Sequence, residues 1–240
     1  MRQGSFRIFR IAGIDVYLNW LWFIFAIYEI QARTTEYSSP IWNVLEYLSL
    51  FVIVTMHEFG HALACRSVGG TANQIVLWPL GGVAYVNPPQ RPGATLWSLA
   101  AGPLVNVALL PILFAIDALG RSAGWAETMP DVQKFVGAVL LIDIVLLAFN
   151  MLPIYPLDGG QILRSLLWFV MGRARSLMAA VVVGFVGAAG LILLAVRAQS
   201  YWIGLITVFI LLNCWTGMKQ ALALSRMAKA PRREGFACPS

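Results

Sequence analysis

Val54-Thr55-Met56-His57-Glu58-Phe59-Gly60-His61-Ala62-Leu63 sets two histidines four residues apart inside an apolar run, and the chain has no others. On a helix, residues four apart lie on one face, so both imidazoles can reach a single ion. Glu58 is placed to touch a water on that ion rather than the ion itself. Zinc with three protein ligands keeps a fourth position for water and lowers its pKa to ~7, giving a nucleophile at neutral pH. Five residues can match such a pattern by chance, and a lone buried histidine is commonly structural. Placing both histidines of a 240-residue chain at this spacing favours one bound zinc ion.

With no third histidine, the remaining protein ligand is expected to be a carboxylate or a thiolate. Cys65 shares the helical face but lies eight residues beyond His57, ~12 Å along the axis, too far to share an ion with it. It reads as a small packing residue. Among carboxylates, Asp158 leads. It follows Asn150-Met151-Leu152-Pro153-Ile154-Tyr155-Pro156-Leu157 and precedes Gly159-Gly160, so two prolines and two glycines break the helix around it. Its rivals are Asp143, ~10 Å deeper on a regular helix, and Asp117, at the opposite end of its own apolar run. Asp143 also reads as a buried partner for a polar group, and Asp158 as a plain turn residue.

The elements that carry these residues belong in a bilayer. Apolar residues make up 59% of the chain and charged residues 12%, against about 25% charged in soluble domains. Three scattered cysteines give no disulfide framework. The net charge of +6 reads as cytoplasmic-side lysine and arginine rather than a nucleic-acid surface. The first apolar run is Trp-rich and lacks a small-residue cleavage site, so a cleaved signal peptide is not expected.

Six spans are expected, at about residues 16–30, 41–65, 93–119, 135–152, 177–196 and 201–222. The fold class is thus an all-α polytopic membrane protein. Its single domain covers 1–240, with a catalytic core at about 41–171 and extra C-terminal spans at about 177–222. Residues 71–86 depart from that pattern. Two β-prone runs flank Pro79-Leu80-Gly81-Gly82, which reads as a membrane-associated hairpin or re-entrant loop. Open backbone at membrane depth is tolerated beside protein or a wet cavity, so the segment is expected next to the site. With the N-terminus inside, inner segments hold 13 of the 17 lysines and arginines. Both termini are then cytoplasmic, and the histidines lie toward that face.

His57-Glu58-Phe59-Gly60-His61 together with Asn150-x-x-Pro153-x-x-Pro156-Leu157-Asp158-Gly159-Gly160 resembles the site-2 protease family of intramembrane metalloproteases. Gly81-Gly82 and Gly102-x-x-x-Asn106 are similar to its other recurrent motifs, and Gly13-Ile14 through Trp20 to its first-span entry, with Asn19 where a histidine is frequent. No PDZ insertion or CBS pair is seen, as in the small six-span sporulation-protease-like type. The resemblance implies a zinc core built from the second, third and fourth spans. His57, His61 and Asp158 would be ligands, Glu58 the base, and Asn150, Gly81, Gly82 and Asn106 substrate-binding residues. It also implies cleavage of a peptide bond within or near a transmembrane segment of a membrane-anchored substrate. Such a helix must unwind first, and residues 75–86 with Asn150 offer backbone and amide partners for an extended chain. The alternative is a non-catalytic metal-binding membrane protein or metal transporter. Glu58 argues against it, since a binding site needs no base.

Overall fold

The computed structural model describes residues 4–32, 35–78 and 81–229. The elements in order are β1 (Ser5–Ile11), β2 (Ile14–Asn19), α1 (Leu21–Ala32), α2 (Pro40–Ser67), β3 (Thr71–Trp78), β4 (Gly81–Asn87), α3 (Pro92–Ser122), α4 (Trp125–Thr128), α5 (Pro130–Asn150), α6 (Asp158–Met171), α7 (Arg173–Ala198) and α8 (Tyr201–Lys229). The chain divides into two compact units, Met1–Leu152 and Pro153–Ser240. Among the described residues, α2, α3, α5, α7 and α8 are long and apolar enough to cross a bilayer. The protein is a multi-pass membrane protein.

The first unit contains a four-stranded sheet in the order β1-β2-β3-β4. β1 and β2 form an antiparallel hairpin whose turn residues Ala12 and Gly13 have φ of 51° and 72°. Positive φ at both central positions gives the turn whose twist suits a tight hairpin. β2 pairs with β3 in parallel, and β3 with β4 antiparallel. Ile14, Val16, Ile75 and Leu77 are fully buried and pack with Val54, Ala62 and Cys65 of α2. Cys65 is thus a packing residue in the core. The hairpin expected at 71–86 is β3–β4; Pro79 and Leu80 lie outside the described residues.

The first expected span is not one continuous helix. Residues 14–19 are β-prone and pair in the sheet, which leaves α1 with 12 residues. At 1.5 Å per residue it covers ~18 Å, short of the ~30 Å hydrocarbon core. The sheet nevertheless fixes where this leg runs. β2 lies beside β3, which follows the C-terminal end of α2, so α1 runs back along α2 and residues 35–39 lead into its start at Pro40. The contacts agree: Tyr47 donates its hydroxyl to the Trp22 carbonyl at 2.7 Å, Trp22 and Phe51 meet edge-on at 5.8 Å, and the Tyr37 hydroxyl reaches Glu46 at 2.6 Å. The N-terminal hairpin and β3–β4 are therefore at the same end of α2.

α3 continues through Pro103 and Pro111, although a proline inside a helix removes a backbone N–H and weakens it locally. Its approach to α2 is close because Gly60 has no side chain; a Cβ there would stand 2.6 Å from the Ala101 carbonyl oxygen. In lipid, where apolar surface gives no advantage to helix pairing, such small-residue contacts bring the backbones together.

In the second unit a short irregular stretch leads into α6, which begins at Asp158 itself. Gly160 permits the return: a Cβ there would lie 2.4 Å from the Ile154 carbonyl carbon. α7 and α8 pack through small residues, with Gly184 against Cys214. The Cys214 thiol donates to the Tyr155 carbonyl at 3.1 Å.

Candidate metal centre

α2 carries His57, Glu58 and His61, all buried at 3%, 6% and 6% exposure. Their spacing brings the two imidazole Nε2 atoms to 3.1 Å from one another. The Nδ1 atoms have separate partners. His57 Nδ1 is 2.6 Å from Asn106 Oδ1, and His61 Nδ1 is 2.8 Å from the Ser98 carbonyl oxygen. Both partners are acceptors, so each Nδ1 carries the proton and each Nε2 presents a lone pair. Two lone pairs 3.1 Å apart cannot hydrogen-bond to each other. A cation that accepts both resolves the repulsion, and imidazole nitrogens oriented through their other ring N–H are the usual form of such a ligand pair.

Gly102 tests the fit from the opposite helix. A Cβ at this position would stand 2.3 Å from His61 Nε2 and 2.8 Å from His57 Nε2. The glycine therefore leaves clear the space into which both lone pairs point. α3 also supplies Ser98, whose hydroxyl donates to the His61 carbonyl at 3.3 Å.

The Glu58 carboxylate meets the sheet. Ala84 of β4 donates its backbone N–H to Glu58 Oε2 at 2.8 Å. Gly82 allows that approach, since a Cβ there would be 2.3 Å from Glu58 Cγ. Gly81 has φ of 135°, in the region that favours glycine. So Gly82 touches Glu58, and the hairpin stands at the histidine helix as expected from its open backbone.

Asn106 is fully buried between two partners. Besides accepting from His57 it donates from Nδ2 to Asp143 Oδ1 at 2.6 Å. The amide expected to serve substrate is thus directed at a histidine. Asp143 is the buried partner of a polar group, as one reading of the sequence had it. Asp117 accepts from Arg121 at 2.8 and 2.9 Å and from Gln133 at 2.7 Å, a clamp between α3 and the start of α5. Asn150 is the last residue of α5 and half-buried. In the second unit, Asp158 opens α6 with its carboxylate in the first turn, where a helix favours negative charge.

Sequence reasoning did not single out Ser98 or Ala84. Ser98 meets the His61 ring through its carbonyl and Ala84 meets Glu58 through its N–H, and a backbone atom leaves no residue-type signal.

The chain matches the description Peptidase family M50 over residues 46–128 and 118–194. It is 28% identical over 206 residues to a zinc metalloprotease of Methanocaldococcus jannaschii, covering 86% of this chain and 58% of that protein. It is 30% identical over 122 residues to stage IV sporulation protein FB of Bacillus subtilis, covering 48% of this chain and 38% of that one. The chain thus spans less than two thirds of the length of these curated relatives. Among solved structures, the site-2 protease from Methanocaldococcus jannaschii has a TM-score of 0.62 at 25% identity, covering 98% of this chain and 100% of that chain.

Proposed function

This chain belongs to peptidase family M50, and from that membership we propose that it is an intramembrane zinc metalloendopeptidase. Its substrate is a membrane-anchored protein, cut within or near a transmembrane segment. The observation that carries the reading is the pair of buried Nε2 lone pairs on α2 with a glutamate between them in sequence, tied to a strand edge.

His57 and His61 hold the zinc, and Asp158 supplies the third ligand. Three facts favour Asp158. It heads a helix after a broken stretch, it falls in the family motif, and both rival carboxylates are engaged by polar side chains on α3 and α5. Bound zinc supplies Lewis-acid chemistry, activating a water and polarising a carbonyl. Glu58 takes the proton from the attacking water and delivers it to the leaving amine. The Ala84 N–H orients that carboxylate before substrate arrives. Asn106, placed on His57 rather than in open space, serves ligand orientation. Gly82 serves the approach of Glu58 to the strand.

Substrate unwinds and adds as a strand along β4, where main-chain hydrogen bonds accept an extended peptide with little sequence demand. The Asn150 amide is the partner for its backbone on the other side. Both termini are cytoplasmic and the site opens toward that face, as the charge bias and the run of α1 back along α2 support.

The test compares membranes holding the active chain with membranes holding Glu58→Gln. Fragments of a membrane protein ending within or beside a transmembrane segment are expected only with the active form. Identical fragment sets from both would overturn the proposal.

A further inference from the structure

A histidine can bind a metal through Nε2 only if its proton sits on Nδ1, and the two histidines here secure that in different ways. His61 faces the backbone carbonyl of Ser98 at 2.8 Å. A carbonyl is an acceptor in every state, so this contact permits one tautomer. His57 faces the side-chain amide of Asn106, and an amide can present either end. If its NH2 turned toward His57, Nδ1 would accept, the proton would move to Nε2, and that nitrogen could hold no metal.

Asp143 decides between the two. Its Oδ1 is 2.6 Å from Asn106 Nδ2, and a carboxyl oxygen in that place accepts. The amide must then give its NH2 to Asp143 and its oxygen to His57. Asn106 and Asp143 are both 0% exposed and His57 is 3% exposed, so bulk solvent does not reach these contacts. The second oxygen of Asp143, Oδ2, is buried with no hydrogen-bond partner among the described residues. A carboxyl on a membrane-spanning helix is costly, and Asn106 is the hydrogen-bond partner the structure gives it.

We propose that Asp143 is a positioning residue that fixes the tautomer of His57 through Asn106. α2, α3 and α5 each contribute one member of the relay. The proposal rests on the metal reading of the two histidines, and it adds a condition under which one of them is a ligand at all.

The chain has only two histidines, so heteronuclear NMR of the full chain with labelled histidine, in lipid nanodiscs, reports each ring directly. In the metal-free wild type both rings are expected as the Nδ1–H tautomer. Asp143→Asn is nearly isosteric and lets the Asn106 amide turn. The Nε2–H form of His57 should then appear while His61 stays unchanged, its signal serving as the check on folding. Zinc affinity, measured by competition with a chelator, should fall ~10- to 100-fold, the usual scale for partners of a ligating histidine. The double variant Asn106→Asp with Asp143→Asn reverses donor and acceptor between the two positions and again gives His57 an acceptor. It should restore the Nδ1–H form and most of the zinc affinity. A His57 tautomer and zinc affinity unaltered by Asp143→Asn would overturn the relay. So would a double variant no better than Asp143→Asn alone, because the loss would then be one of packing. Failure of the metal reading is distinguishable, since the wild type would then take no zinc while the tautomers would still report on the relay.

Discussion

Ala84 gives its backbone N–H to Glu58 Oε2 at 2.8 Å, which joins the outermost strand of the sheet to the helix that carries both histidines. A carboxylate held this way has one oxygen engaged by a main-chain donor, so its position depends on the strand rather than on solvent. Replacing Glu58 by Gln keeps the size and the contact but removes the ability to take a proton. Cleavage should fall by ~10²- to 10⁴-fold, the range for loss of a general base. Zinc per chain, measured on the same preparation, should stay at the wild-type value. Retained cleavage would rule out Glu58 as the base.

Gly102→Ala separates the site from the fold. The added methyl enters the space in front of both Nε2 atoms, 2.3 Å from that of His61. Alanine is a better helix former than glycine by about 1 kcal/mol, so α3 itself should not suffer. The expected result is loss of zinc with thermal stability kept. Gly60→Ala should do the reverse in kind, because its methyl meets the Ala101 backbone carbonyl at 2.6 Å. The melting temperature should then drop as the α2–α3 contact opens. Full zinc loading in Gly102→Ala would show that the ion lies elsewhere.

The histidine helix, the β3–β4 hairpin and the broken stretch before Asp158 were legible because residue types carry them: a four-residue histidine spacing, glycines flanked by β-prone runs, and two prolines in one short segment. The N-terminal strand was not. Ile14-Asp15-Val16-Tyr17-Leu18-Asn19 alternates apolar and polar residues but runs almost without a break into the more apolar helix after it, and its pairing is with a strand more than fifty residues on. Hydropathy cannot see such a partner. Asp143 was legible as an anomaly, a carboxylate in a span. Its connection to His57 was hidden because it passes through the amide of a third helix.

Asp158→Ala should abolish tight zinc binding, since one of three protein ligands is lost. Asp117→Ala should leave zinc loading intact and lower stability, because that carboxylate holds Arg121 and Gln133 at the far end of α3. Zinc content and melting temperature on both variants decide the matter. A zinc loss confined to Asp117→Ala would overturn Asp158 as the closing ligand.

The charge bias and the sheet make a joint statement about topology. If residues 20–39 cross with α2, lysines and arginines divide 13 to 4 between the two faces; if they do not, the division is 10 to 7. Only the first is a strong bias of the kind that sets orientation. Reporters active on one side of the membrane, fused at either end, should both read cytoplasmic. Opposite readings would mean that the first leg stays on one face.

The edge of β4 yields the most demanding prediction. In an antiparallel ladder, successive residues direct their N–H and C=O groups alternately toward one neighbour and the other. Ala84 directs its N–H to Glu58 and not to β3. Gly82 and Val86 therefore face the same outer side, while Val83 and Tyr85 face β3, where Tyr85 is in register with Gln74. Proline removes one N–H at a time. Val86→Pro deletes an outer donor and spares the ladder, so cleavage should fall while melting temperature and zinc content hold. Tyr85→Pro breaks the ladder and should lower the melting temperature. Ala84→Pro removes the Glu58 contact, so cleavage should fall most there, again with zinc retained. If Val86→Pro cleaves a membrane substrate at the wild-type rate, the outer edge of β4 does not take substrate as a strand, and the hairpin serves only to hold Glu58.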